Sequence, residues 1–200
     1  MDIPAKITLS ALERKLISDP EWILAKNEVI QKVSSLFGEL SGQFNSNPLT
    51  LQLPEEVRSI PPKISKGEQY KGLPYLMLDY PRFFETEHVF AIRSFFWWGH
   101  FFSSTLHLKG RYSKMYAPEI VKMIKSKTSV EWMINYSEEE WIHDIEEKEH
   151  WVKANTIRQD EIEGKNLIKI AALLPVEKWE EAGDFLEKMH DFYLRALTKN

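Results

Sequence analysis

The residues best suited to chemistry lie in one aromatic stretch, residues 89–109, which reads VFAIRSFFWWGHFFSSTLHLK. Its length is that of a membrane helix, but ionisable side chains interrupt it, and these are expensive in hydrocarbon. Aromatic and β-branched residues on both sides of Gly99 favour a β-hairpin instead. We therefore expect residues 89–98 to pair antiparallel with residues 101–109.

The hairpin predicts a candidate ligand-binding face. A two-residue turn at Gly99 would place even positions of the first strand beside odd positions of the second. That face would combine aromatic walls with hydroxyls and an imidazole, which suits a small-molecule site. Its candidate binding residues are Ser94, Phe96, Phe101, Ser103, Thr105 and His107. A sheet packed between helices, with these hydroxyls bonded to backbone, would show the same pattern, and the pattern alone favours that outcome.

Arg93 is a seventh candidate, and the two-residue turn would place it on the opposite face, beside Phe95 and Trp97. A guanidinium in such surroundings either pairs with a carboxylate or receives an anionic ligand. Pairing with Asp79 is the favoured interpretation. A Ser103, His107 and Asp79 triad can also be assembled, but the nucleophile-elbow pattern that usually accompanies such a triad is missing.

Two Glu-x-x-His patterns, beginning at Glu140 and Glu147, have the spacing found in di-iron helical bundles. On one helix the two copies would lie about 10.5 Å apart, too far to share a pair of metals. We therefore predict no metal site here. Neither a dinucleotide-binding glycine pattern nor a Walker A pattern occurs, so we predict no nucleotide or other cofactor.

Composition limits the function further. The 200 residues include no cysteine, which excludes disulfides and thiolate sites, and they carry a net charge of −4. Residues 58–125 hold 11 basic and 5 acidic residues, whereas residues 137–163 hold 3 basic and 10 acidic ones. The two segments either neutralise each other or form an anion-binding side and an acidic side. We expect no nucleic-acid or membrane partner, and a cytoplasmic location because no secretory signal is visible.

The elements that must position these residues point to one α+β domain over residues 1–200. We predict a helical N-terminal segment at 1–47, a connector at 48–72, a sheet region at 73–174 and a C-terminal helix at 175–200. Apolar residues three and four apart predict one long helix after Asp19, and a shorter one after Ser10. The mostly antiparallel sheet should have about five strands, at 73–79, 89–98, 101–109, 132–136 and 166–174. The structure of residues 137–163 stays open.

Short motifs between Tyr70 and Gly110 resemble a bacterial family of uncharacterised proteins. They are Lys-Gly-Leu-Pro-Tyr from Lys71, Asp-Tyr-Pro from Asp79, Phe-Trp-Trp-Gly from Phe96 and Thr-Leu-His-Leu from Thr105. The resemblance implies a compact cytoplasmic α+β protein of unknown function, and it supplies no catalytic residues.

These observations favour a binding module that holds a small anionic or planar ligand on the aromatic hairpin face. One alternative is an enzyme that uses His107 or His143 as acid–base group. The other is an interaction domain whose aromatic face is covered by a partner or by a second copy of the chain in a homodimer. An enclosed cavity would support the first two interpretations, and a flat patch the third.

Overall fold

The computed structural model describes residues 8–126 and 128–198, and these form an α+β fold. The ends of the predicted segments 1–47 and 175–200, residues 1–7 and 199–200, lie outside the described residues. Within the described ranges, α-helices occupy α1 Ala11–Ile17, α2 Pro20–Ser46, α3 Glu55–Arg58, α4 Arg111–Lys125, α5 Gln159–Glu163 and α6 Ala182–Leu197. Short 3-10 helices add Thr50–Gln52, Ala154–Thr156 and Val176–Glu181.

The described part of the chain contains one antiparallel sheet of seven strands, in the order β1-β2-β3-β4-β7-β5-β6. The strands are β1 Lys63–Tyr70, β2 Leu73–Phe84, β3 Val89–Trp97, β4 Phe101–Lys109, β5 Met133–Asn135, β6 Trp151–Lys153 and β7 Leu167–Pro175. The expected pairing of β3 with β4 is confirmed.

The prediction of about five strands was wrong because both missed strands lack an apolar pattern. β1 lies in the predicted connector 48–72, and its sequence KISKGEQY is mostly polar, as suits an exposed edge strand. β6 has only three residues and lies in the segment left open, 137–163. β2 is also longer than expected, because its pairing with β3 continues past Pro81 after a register shift between Asp79 and Arg82.

Helices cover one face of this sheet. The predicted stripe of α2 is buried at Ile30, Val33, Phe37, Leu40 and Phe44, and it packs on even-numbered residues such as Leu76, Phe96 and Phe102. α4 and α6 cover the other half of the same face around Phe90, Leu106 and Tyr193. We call this the helix face. Among the described residues, no helix combines the length and apolar character needed to cross a bilayer.

A loop covers the opposite face. Residues 136–150, which join β5 to β6, pack there with Ile142 and Ile145 against Phe95 and Trp97. We call this segment the β5–β6 loop and the surface beneath it the loop face. It comes from the acidic part of the sequence, while β1 to β4 lie within the basic part.

Candidate functional site

The length of the β3–β4 turn decides which side chains share a face. Trp97 pairs with Phe101, so three residues form the turn rather than the two expected. Odd positions of both strands therefore lie together, and the predicted division of the hairpin into faces was wrong. Because side chains alternate along a strand, one extra turn residue exchanges the faces of the whole second strand.

The structure consequently divides the seven candidate residues between the two faces. Ser94 and Phe96 lie on the helix face, where Phe96 packs beneath α2 in the apolar core. The remaining five lie on the loop face: Arg93, Phe101, Ser103, Thr105 and His107. Arg93, expected opposite His107, thus becomes part of the same surface.

Arg93 makes the ion pair that the sequence favoured. Its Nε donates to Oδ1 of Asp79 at 2.6 Å, and its Nη2 donates to Oδ2 at 2.8 Å. Both residues are buried, and they are opposite each other in the β2–β3 ladder. Since both carboxylate oxygens face Arg93, Asp79 does not orient His107, and the arrangement does not support the Ser103–His107–Asp79 triad.

Lys169 fixes the β5–β6 loop over this pair. Its buried Nζ donates to the backbone carbonyls of Glu140 and Ile142, both at 2.7 Å. Nearby, Nη1 of Arg93 lies 3.3 Å from Nε2 of His143. The hydroxyl of Tyr70 accepts hydrogen bonds from the backbone amides of His143 and Asp144, each at 2.9 Å. The loop is therefore held by directed polar contacts from three strands.

Glu140 brings a second carboxylate to the site. Its Oε2 accepts from Nζ of Lys109 at 2.7 Å, and its Oε1 lies 3.3 Å from Nε2 of His107. The second contact lacks hydrogen-bond geometry, so the buried Nε2 of His107 has no hydrogen-bond partner among the described residues. Buried imidazole nitrogens are usually satisfied, so this one is an available donor or acceptor.

Together these residues form what we call the polar cluster: Asp79, Arg93, His107, Lys109, Glu140, His143 and Lys169. Burial lowers the pKa of Lys169 to about 7, with Arg93 adding to the effect and Glu140 opposing it. Burial, followed by Arg93 and Lys169, lowers the pKa of His143 to about 2. The pKa of His107 is likewise held well below its usual value, first by burial and then by the neighbouring cations. Both histidines are therefore neutral at pH 7.

The polar cluster reaches solvent at an aromatic rim. Trp141 is 55% exposed, and its ring lies 5.6 Å from that of His107 and 6.2 Å from that of Phe84. The Cζ of Arg93 lies 5.9 Å from the centre of the Phe84 ring, which is 36% exposed. A planar group stacked on this rim would therefore lie close to the imidazole and guanidinium beneath it.

The two Glu-x-x-His patterns do not form one helical face, because the β5–β6 loop consists of turns. Their side chains contact different partners: Glu140 faces Lys109, His143 faces Arg93, Glu147 faces Lys71 and His150 faces Ser137. Across residues 8–126 and 128–198, no group of three or more carboxylate and imidazole side chains is arranged to hold a metal ion.

The clearest grooves lie elsewhere and share no residue with the polar cluster. One of about 610 Å³ runs between β5, β7 and α6, and another of about 370 Å³ lies along α6. The loop face is closed rather than hollow, so a ligand there would occupy the rim or displace part of the β5–β6 loop.

Sequence reasoning missed Lys169 and the pairing role of Glu140. Lys169 did leave a signal, because it is the one charged residue in the apolar strand NLIKIAALL. A lysine buried in a strand requires compensating acceptors. Which acceptors it meets depends on the path of a loop without periodicity, and no sequence pattern predicts that path.

Comparisons with known proteins give no match: no family model, no curated protein and no solved structure is similar enough to the chain to qualify. The resemblance of residues 70–110 to an uncharacterised bacterial family therefore stays an expectation, and the functional argument depends on the polar cluster itself.

Proposed function

We propose that the protein binds a small planar anion at the aromatic rim of the polar cluster, with an aromatic carboxylate as the simplest representative. The observation that carries this proposal is the buried Nε2 of His107, which forms no hydrogen bond although Oε1 of Glu140 lies 3.3 Å away, and whose ring contacts the exposed ring of Trp141. A carboxylate would accept from the cluster, while its ring would stack on Trp141 and Phe84.

Charge supports an anion rather than a cation. Arg93 and Lys109 are cationic, Lys169 is partly so at pH 7, and two carboxylates face them, those of Asp79 and Glu140. The cluster therefore keeps a small excess of positive charge while Lys169 is half-protonated. A bound monoanion would favour the protonated form of Lys169 and bring the cluster close to neutral, in a partly desolvated site where electrostatic interactions are stronger than in water.

Binding agrees with this geometry better than His-based acid–base catalysis does. A general base works best with a pKa near the operating pH. The pKa of His143 is about 2, and burial also depresses the pKa of His107. The pKa of Lys169 is near 7, but its ammonium is buried and directed at two backbone carbonyls.

The test compares three probes by calorimetry and tryptophan fluorescence: benzoate, acetate and benzyl alcohol. Benzoate carries both the ring and the charge, acetate only the charge, and benzyl alcohol only the ring. We expect benzoate to bind most tightly and to change the fluorescence of Trp141. Equal or weaker binding of benzoate relative to both other probes would contradict the proposal.

Two variants and a control locate the site. Trp141→Ala should weaken benzoate binding with little change in melting temperature, because its ring is exposed. The matched control is Trp22→Ala, which removes another exposed tryptophan, on α2, and should leave benzoate affinity unchanged. His107→Ala should also weaken binding. A large drop in melting temperature with unchanged affinity in His107→Ala would identify His107 as a structural residue only and contradict its role in the site.

A further inference from the structure

The N-terminal helices expose an apolar surface that the other described residues do not cover. Every residue from 8 to 25 is exposed, and α1 contains no buried residue. We call residues 8–25 the N-terminal projection. It carries seven large apolar side chains that are each 37–76% exposed: Leu9, Leu12, Leu16, Ile17, Trp22, Ile23 and Leu24. Seven such side chains within residues 9–24 are a local concentration of the kind that marks interaction surfaces.

The projection exists because α2 is longer than the surface on which it packs. At 1.5 Å per residue its 27 residues span about 40 Å, but its buried residues begin only at Ile30. Ile23 lies seven residues earlier on the same stripe and is 40% exposed. The apolar face of α2 thus continues beyond the sheet without a surface to cover it.

α1 has little to stabilise it within one copy of the chain. It has seven residues, and isolated helices shorter than about 12–15 residues are marginal in water. A capping box formed by Ser10 and Glu13 supports its first turn. Because most helical stability comes from packing an apolar face, we expect Leu12, Leu16 and Ile17 to be covered by a second surface.

The charges of the projection favour a second copy as that surface. Arg14 and Lys15 precede Ile17, while Asp19 and Glu21 follow it, and none of the four forms an ion pair within residues 8–126 and 128–198. Glu13 also precedes Ile17 and accepts a hydrogen bond from the backbone amide of Ser10, so the residues before Ile17 keep a net positive charge and those after it a net negative one. An antiparallel pair with its two-fold axis near Ile17 would place the basic residues of one copy opposite the acidic residues of the other. The mixed signs offer no comparable attraction to an anionic membrane or a nucleic acid.

We infer that the N-terminal projection is a homodimer interface, formed by antiparallel association of α1 and the first turns of α2 from two copies. Such an interface is isologous, so each apolar side chain contributes twice. The inference is independent of the proposed ligand, because the projection shares no residue with the polar cluster.

The first experiment measures mass by light scattering and dissociation by analytical ultracentrifugation on the full chain. We expect a dimer. Leu12→Glu and Ile17→Glu should each raise the dimer dissociation constant at least about tenfold, since each introduces two charges into an apolar contact. Their melting curves in dilute solution should stay close to that of the unmodified protein, because both side chains are exposed in the single copy. The matched control is Leu51→Glu, at a leucine 67% exposed outside the projection, and it should leave the dimer intact.

A charge exchange tests the orientation of the two copies. One variant carries Arg14→Glu and Lys15→Glu, and the other carries Asp19→Asn and Glu21→Lys, since asparagine preserves the N-cap at position 19. Each variant alone should dissociate more readily than the unmodified protein. Mixing the two should form a heterodimer that is tighter than either homodimer. In a parallel arrangement like charges would already face each other in the unmodified protein, so neither variant alone would dissociate more readily than it, and the mixture would be tighter than the unmodified dimer.

Three outcomes would overturn the inference. The unmodified chain could be monomeric up to millimolar concentration, or Leu51→Glu could dissociate the dimer as strongly as Ile17→Glu. The chain could also be monomeric and float with vesicles of phosphatidylcholine and phosphatidylserine, a binding lost in Ile17→Glu, which would assign the projection to a membrane surface.

Discussion

Helices cover one face of the sheet and a loop covers the other, and the two coverings use different interactions. On the helix face, α2, α4 and α6 bury apolar side chains from even positions of β3 and β4, such as Phe96 and Leu106. On the loop face, the β5–β6 loop is held by hydrogen bonds to Arg93, Lys169 and Tyr70 and by the ion pair of Glu140 with Lys109, beside a smaller apolar contact. The same two strands therefore support an apolar core on one side, and a charged site next to a smaller apolar cluster on the other.

The two faces contribute differently to the protein: the helix face contributes mainly stability, and the loop face contributes specificity. Apolar burial on the helix face is non-directional and scales with the area removed from water, so many sequences could supply it. The contacts on the loop face depend on individual donors and acceptors, and each buried charge there must meet a partner. A binding site that distinguishes ligands is therefore expected on the loop face, while the helix face supplies the stability that keeps it in place.

The largest predicted effect tests the helix face. Phe37→Ala should lower the free energy of unfolding by about 3–5 kcal/mol, because Phe37 is fully buried in the contact between α2 and the sheet. Glu39→Ala, at an exposed position on the same helix, is the control and should change stability by less than about 0.5 kcal/mol. Urea denaturation measures both. A loss below about 1 kcal/mol for Phe37→Ala would mean that the stripe of α2 does not form part of the core.

A slightly smaller loss of unfolding free energy is expected for a substitution on the loop face. Asp79→Ala removes one partner of a buried ion pair and leaves Arg93 uncompensated, which should cost about 3 kcal/mol in the same measurement. The double variant Asp79→Leu, Arg93→Met replaces both charges with apolar groups and should recover most of that loss. A double variant as unstable as Asp79→Ala would show that packing of these side chains, rather than the unpaired charge, sets the cost.

The two faces also differ in how far sequence alone could predict them. The helices that cover the helix face carry a period of three to four residues, so the presence of α2 and α6 and the burial of Phe37 and Leu186 followed from spacing. The start of the C-terminal helix was placed too early, at 175, because β7 extends to Pro175 and a 3-10 helix precedes α6. Pairing of β3 with β4 followed from the aromatic run around Gly99. In these elements the apolar pattern extends over many residues, so one atypical residue does not change the predicted element.

Prediction of the loop face depended on details that a change of one residue in a turn can alter. The length of the turn after Trp97 decided whether Arg93 and His107 share a face, and its sequence admitted both two and three residues. The acidic β5–β6 loop has no periodicity, so its contacts with Lys169 and Arg93 are set by tertiary structure alone. Five of the seven candidate residues nevertheless share the loop face, but only Arg93 and His107 belong to the polar cluster.

Acid pH should extend the comparison, because burial lowers the pKa of histidines on both faces: His107 and His143 on the loop face and His190 on the helix face. His143 belongs to the loop face, and burial lowers its pKa to about 2. His190 of α6 is stacked on Phe44 with 3.7 Å between ring centres, and burial lowers its pKa to about 3. Below the unfolded value of about 6.5, the unfolded chain binds protons that the folded chain excludes, so stability falls as the pH falls. Each histidine contributes at most about 1.4 kcal/mol per pH unit to this slope.

Protonation of His143 and protonation of His190 should require different structural changes. The amides of His143 and Asp144 are held by the Tyr70 hydroxyl in a loop with few apolar anchors, so local opening can expose His143 without global unfolding. His190 lies within the helical core, where protonation requires the packing of α2 and α6 to be lost.

Between pH 6.5 and 4, hydrogen exchange corrected for its intrinsic pH dependence should therefore accelerate at 143–144 before it accelerates in α2 and α6. His143→Gln should reduce the early acceleration and leave only the part that protonation of His107 beneath the same loop supplies. His190→Gln should leave the early acceleration in place and flatten only the global unfolding curve. Loop amides that stay protected as long as those of α2 would mean that both faces open in a single cooperative step, and that the polar contacts of the loop face are as strong as the apolar packing opposite.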